Sequence, residues 1–189
     1  MDYLESIKTE RLGRNLIAKG AILSYYQDDV KIPNGHVAKF DFIKHQGAAA
    51  ILPVTKDNKL LLVRQYRNAL DRFTLEIPAG GLEGPDEPTM NAAIRELEEE
   101  TGYKAGRVQP LISIYPTVAY SNEKIDVYLA TDLTKSSQHL DEDEFLTVEE
   151  WELADLEKMI YSGKLQDSKT VSAVLAYKNI LMEKEPSKD

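Results

Sequence analysis

Short β-rich runs separated by polar turns mark the chain from residue 20 onward. Ala21 to Tyr26 and Val37 to Ile43 are β-rich and flank Pro33-Asn34-Gly35, whose turn chemistry predicts an N-terminal hairpin. A second pair of strands is expected at Ala48 to Thr55 and Leu60 to Tyr66, about Asp57-Asn58. The unbroken apolar runs Ala49-Ala50-Ile51-Leu52 and Leu60-Leu61-Leu62-Val63 predict strands covered on both faces. Phe73 to Ile77 reads as a strand stopped by Pro78-Ala79-Gly80-Gly81.

From Pro88 to Thr101 the period changes to that of a helix, with Pro88 suited to its first turn and Gly102 to the position just past its end. Further strands are expected at Val108 to Tyr115, Lys124 to Ala130 and Phe145 to Val148, and helices at Leu153 to Tyr161 and Asp167 to Met182. Many strands interleaved with few helices predict an α/β (α+β) chain, a mixed sheet sandwiched by helices. Residues 1–45 read as an N-terminal strand and hairpin region and 46–183 as the main domain. Residues 184–189 have the composition of a frayed tail.

Composition narrows the partners. The 189 residues carry 32 Asp and Glu against 23 Lys and Arg, a net charge of -9 that disfavours a nucleic-acid polymer. With no cysteine, thiolate nucleophiles, disulfides and Cys-based zinc sites are excluded, so any metal is held by oxygen or His. The N-terminus lacks the basic and apolar regions of a leader, and no apolar run reaches the length of a membrane span. A soluble, cytoplasmic protein without a membrane partner is the expectation.

On the helix from Pro88 to Thr101, 100° per residue places Met90, Ala93, Ile94, Leu97 and Thr101 on the core face. Glu96, Glu99 and Glu100, spaced i, i+3 and i+4, fall together on a neighbouring face. Like charges so placed each cost roughly a few tenths of a kcal/mol, and carboxylates near a helix C-terminus oppose its dipole. A hard divalent cation would compensate, because Mg²⁺ prefers oxygen ligands and shares its shell with phosphate. A solvated acidic face, with Arg95 and Glu99 as an ordinary i,i+4 pair, is the alternative for an isolated Glu-rich helix.

The frame around the helix decides between them. It reads Gly81, five residues, Glu87, seven residues, then Arg95-Glu96-Leu97-Glu98-Glu99-Glu100-Thr101-Gly102-Tyr103. Here the chain resembles the Nudix hydrolase family, whose box is G-x5-E-x7-R-E-U-x-E-E-x-G-U with U a bulky apolar residue, and every defined position matches. The resemblance implies a Nudix-type α/β/α sandwich with an N-terminal hairpin extension. It implies Glu96, Glu99 and Glu100 as ligands of Mg²⁺ (or Mn²⁺), joined by the carbonyl of Gly80 or of neighbouring Ala79. Arg95 would orient a box carboxylate, Glu87 would brace the loop, and Glu98, at an unconstrained place, would point elsewhere.

Lys31-Ile32-Pro33-Asn34-Gly35-His36, Val63-Arg64-Gln65-Tyr66-Arg67-Asn68 leading to Leu75-Glu76-Ile77-Pro78-Ala79-Gly80, and Leu140 to Phe145 look closest to the ADP-ribose pyrophosphatase branch. By that resemblance Arg67 would contact substrate phosphate or ribose, a surface arginine being the alternative. Glu142 would be the base that activates water, with Glu144 second and Glu123 assisting. The substrate would be a nucleoside diphosphate sugar, ADP-ribose first, and GDP-sugars, dinucleotides or NADH are the alternatives, as is a non-catalytic nucleotide-sugar sensor. Branch members commonly dimerise through the N-terminal hairpin, so a homodimer is expected. One departure bears on the substrate: the branch usually has Ser-Pro-Gly-Phe where this chain has Thr117-Val118-Ala119-Tyr120, although Ser121-Asn122-Glu123 still follows. His36, His45 and His139 form no metal spacing and receive no role. Tyr25, Tyr26, Phe40 and Phe42 read as strand packing rather than base-stacking groups.

Overall fold

The computed structural model describes residues 3–84, 86–142 and 144–184. The expected tail therefore lies almost wholly outside the described residues. In chain order the elements are α1 (Tyr3–Ser6), β1 (Glu10–Lys19), β2 (Ser24–Lys31), β3 (Val37–Lys44), β4 (Ala48–Pro53), β5 (Leu60–Arg67), β6 (Arg72–Glu76) and β7 (Ala79–Gly81). After them come α2 (Thr89–Thr101), β8 (Tyr103–Ile114), β9 (Ile125–Lys135), β10 (Leu146–Trp151), α3 (Leu153–Tyr161) and α4 (Ser168–Lys184). The chain divides into two compact units, Met1–Gly47 with Thr117–Glu123, and Ala48–Pro116 with Lys124–Asp189.

The smaller unit is a three-stranded antiparallel sheet in the order β1-β2-β3. The expected hairpin is present as β2 and β3. The pattern assigned no strand to the range of β1, because Glu10–Lys19 has no alternation: nearly every residue along it is exposed, so neither face selects for apolar side chains. The Thr117–Glu123 segment joins this sheet by a hydrogen bond from the Ile43 N–H to the Tyr120 carbonyl.

The larger unit holds a mixed sheet in the order β7-β4-β9-β8, with β4 parallel to β9 and the other pairs antiparallel. Alternate residues of β4 feed two cores. Ala50 and Leu52 pack with Leu156 of α3 and with Ala173, Val174 and Tyr177 of α4. Ala49 and Ile51 pack with Ala92, Ala93 and Leu97 of α2. The sheet is thus covered by helices on both faces, the α/β/α sandwich expected, and the continuous apolar character of β4 follows from that double burial.

The second pair of strands behaves differently from the expectation. Strands β4 and β5 are chain neighbours in separate sheets, since β5 lies between β10 and β6. A bridge between Val54 and Leu60 and hydrogen bonds between Thr55 and Lys59 close the turn over Asn58, whose φ is 60°. Another difference concerns Ala79–Gly81, read as the stop after a strand, which instead forms β7 along the edge of β4. No helix among the described residues is long and apolar enough to cross a membrane.

Candidate active site

Helix α2 begins after Pro88, which occupies the N-cap rather than the first turn, and ends at Gly102. Gly102 has a φ of 69°, a left-handed conformation that glycine adopts without strain, and its N–H caps the Glu98 carbonyl at 2.9 Å. The next orphan carbonyls are met by the segment before β10: the Gln138 Nε2 donates to the Glu100 carbonyl at 2.6 Å and the His139 N–H to that of Glu99 at 3.0 Å. Sequence reading found no role for Gln138 or His139, because nothing local in it announces a cap supplied from so far along the chain.

The buried face of α2 is rotated from the one expected. Ala92, Ala93, Glu96, Leu97, Glu100 and Thr101 are buried, whereas Ile94, placed on the core face by the helical wheel, is 40% exposed. Glu96 and Glu100 therefore go inward against β7. Its three residues meet α2 in turn: the Ala79 N–H donates to Glu100 Oε2 at 3.3 Å, Gly80 lies against the Glu96 carboxyl, and the Gly81 carbonyl accepts from Arg95 Nη2 at 3.2 Å. A Cβ on Gly80 would stand 2.6 Å from Glu96 Oε2 and nearer still to Oε1 and Cδ. Only glycine leaves room for that carboxyl.

Arg95 organises the outer side. Its Nη1 donates to Glu96 Oε1 at 2.7 Å and to Glu99 Oε2 at 2.9 Å. Its buried Nε has Glu87 Oε1 at 3.5 Å and Glu83 Oε1 at 3.7 Å but no hydrogen bond. Glu87 also accepts from the Glu83 N–H at 2.6 Å, bracing the loop before the helix. Glu98 turns away, to Ser136 and Lys104. Glu96 and Glu99 therefore meet on Arg95 Nη1, while Glu100 lies on the Ala79 N–H. Glu99 stays half-exposed on Arg95, and no three His, Asp or Glu side chains among the described residues are gathered as a metal cage.

Burial pushes Glu96 up to about 7, with Glu99 and Glu144 acting in the same direction against the pull of Arg95. Glu100 is pushed up to about 8, by burial first and then by Glu96 and Glu144. Glu96, paired with Arg95, and Glu100, which accepts from the Ala79 N–H, are thus desolvated carboxyls whose charged forms are disfavoured. Their oxygens fit a hard divalent cation, which would favour those charged forms.

Among the loop candidates, Glu144 is half-buried and its charge acts on both Glu96 and Glu100, while Glu142 is exposed. Glu123 belongs to the smaller unit, where its carboxylate lies 3.9 Å from His45 Nδ1. Arg67, at the end of β5, is held in a two-pronged pair by Glu76, through Nε at 2.8 Å and Nη2 at 2.7 Å. Burial works against Glu76, but Arg67, Lys169 and Thr74 override it and hold the carboxyl at about 2. The remaining groove beside α2, about 580 Å³, is lined by Asn91, Ile94, Arg95, Glu98, Glu99 and His139.

An acidic helix thus lies against a glycine strand edge on a mixed sheet covered by helices. Residues 44–173 match the NUDIX domain model, and the chain belongs to the Nudix family of hydrolases. The chain is 38% identical to the ADP-ribose pyrophosphatase of Bacillus subtilis (strain 168), over 90% of this chain and 93% of that protein. It is 40% identical to the methanol dehydrogenase activator of Bacillus methanolicus, over 90% of each. Among solved structures, a crystal structure of an ADP compounds hydrolase superposes with a TM-score of 0.82 at 25% identity, over 93% of this chain and 95% of that one.

Proposed function

We propose that the chain hydrolyses the pyrophosphate bond of ADP-ribose, a nucleoside diphosphate sugar, to AMP and ribose 5-phosphate, with Mg²⁺ as cofactor and Mn²⁺ as the alternative ion. The observation that carries this reading is the buried pair Glu96 and Glu100 against β7 in a chain related to an ADP-ribose pyrophosphatase. Glu96, Glu99, Glu100 and the backbone at Gly80 would hold the ion. Its chemistry there is neutralisation of the diphosphate and easier deprotonation of water.

The chain's own residues supply the rest. Arg95 orients Glu96 and Glu99. Arg67 offers phosphate the N–H groups that Glu76 leaves free, against the charge that grows as the bridging P–O bond breaks. The oxygen of water bonds to one phosphorus, the bridging bond's electron pair leaves with the departing phosphate, and a carboxylate takes the water proton. We assign that proton to Glu144 before Glu142, because Glu144 is the loop carboxylate whose charge acts on Glu96 and Glu100. We also infer a cytoplasmic homodimer formed through residues 1–45. The dimer is supported by the exposure of Leu12, Leu16 and Ile17 along β1.

Product release from ADP-ribose, GDP-mannose, NADH and diadenosine polyphosphates with Mg²⁺ tests the reading. Selective turnover of ADP-ribose is expected, with kcat lowered about 100-fold or more in Glu99→Gln and Glu144→Gln and only a few-fold in Glu142→Gln. Turnover of another compound instead would overturn the substrate, and turnover of none would overturn the activity. A second reading, stimulation of a dehydrogenase, is favoured by the relative named for that role. It requires methanol dehydrogenase activity to rise on adding this chain, and no rise would dismiss it.

A further inference from the structure

We infer that Glu76 and Lys169 are positioning residues that hold Arg67 ready for substrate phosphate, an inference that rests on the reading of Arg67 given above. Arg67, Thr74 and Glu76 lie on one face of the β5–β6 pair, and Arg67 reaches back along that face to Glu76. Glu76 is 2% exposed and accepts four hydrogen bonds: two from Arg67, one from Thr74 Oγ1 at 2.6 Å and one from Lys169 Nζ at 2.5 Å. Lys169, in the first turn of α4, is 8% exposed and also lies 3.1 Å from Asp167. Arg67 is the most exposed of these ions, its side chain 43% exposed against 20% for Asp167.

A buried ion cluster is a poor source of stability, since apolar residues of similar volume commonly serve as well or better. What this cluster does supply is fixed direction. Of the five N–H groups of a guanidinium, Glu76 takes two, which locks the plane and leaves three for another partner. The field around Arg67 includes Glu100, and Lys169 acts on Glu100 in turn, so the cluster borders the box carboxylates. A long side chain that would otherwise sample many rotamers is thereby delivered to one place before substrate arrives. Misplacement of such a group by roughly 1 Å can cost about 100-fold in rate.

The test is a double-mutant cycle on ADP-ribose hydrolysis at saturating Mg²⁺, with thermal unfolding followed for each protein. Glu76→Gln is expected to lower kcat/KM by about tenfold or more in the wild-type background and by less than about twofold in the Arg67→Ala background. Equal losses in both backgrounds would mean that Glu76 acts through the fold, and would overturn the inference while leaving the role of Arg67 intact. If Arg67→Ala itself leaves kcat/KM unchanged, the reading of Arg67 falls and this inference with it. Lys169→Met enters the same cycle from α4, so the inference stays exposed if Glu76→Gln does not fold. A loss from Lys169→Met that persists in full without Arg67 would overturn it.

Discussion

Replacing Gly80 by alanine should disable the site while largely sparing the fold. A methyl group there would stand 2.6 Å from Glu96 Oε2, against about 3.4 Å for ordinary contact, so the carboxyl must move by at least about 0.8 Å. Oε1, nearer still, carries the 2.7 Å bond from Arg95, and that bond breaks when the carboxyl swings away. The atoms met belong to the end of a flexible side chain, not to backbone, so the stability cost is at the low end of overpacking, about 1 kcal/mol. A ligand displaced by that distance should lower kcat by roughly 100-fold and raise the Mg²⁺ concentration needed for half-maximal rate. Steady-state rates over a Mg²⁺ titration, beside thermal unfolding, separate the two effects. A variant with kcat and Mg²⁺ half-saturation within about twofold of wild type would refute the placement of Glu96 against Gly80 as the basis of activity.

Two further outcomes follow from the same geometry. Glu96 and Glu100 titrate near 7 and 8 when folded against 4.5 for an ordinary glutamate, so between those values the folded chain holds more protons than the unfolded one. Metal-free stability should therefore fall as pH rises from about 4.5 to about 8. Thermal unfolding in a chelator should show that decline, and Glu96→Gln with Glu100→Gln should flatten it; an unchanged slope in the double variant would assign it elsewhere. For the assembly, light scattering on a sizing column should return about twice the 21.3 kDa chain mass, and a single-chain mass would exclude the dimer.

Much of the site could be read from residues close together in sequence. The spacing of Gly81, Glu87, Arg95, Glu96, Glu99, Glu100 and Gly102 marks the box, because the end of β7, one loop, helix α2 and its cap carry it in a single run. Helix α2 and its glycine cap follow from the 3.6-residue period and the left-handed tolerance of Gly102. The apolar runs that became β4 and β5 were equally plain, since double burial removes polar residues from both faces.

Packing between distant segments settled the rest. A helical wheel weighs side chains by hydropathy, so it put Ile94 inward; the sheet edge instead takes Glu96 and Glu100, whose polar atoms find Arg95 and the Ala79 N–H. The separation of β4 and β5 into two sheets depends on pairing with β9 and with β10, neither of which is visible at the Asp57-Asn58 turn. Glu76 and Lys169 are 93 positions apart, and each alone looks like an ordinary surface charge. The local sequence determines which residues can bear the chemistry, because helix periods, caps and turns act over a few residues. Tertiary structure decides which of those charges are buried, paired and aimed, because desolvation and ion pairing depend on what the remote chain brings alongside.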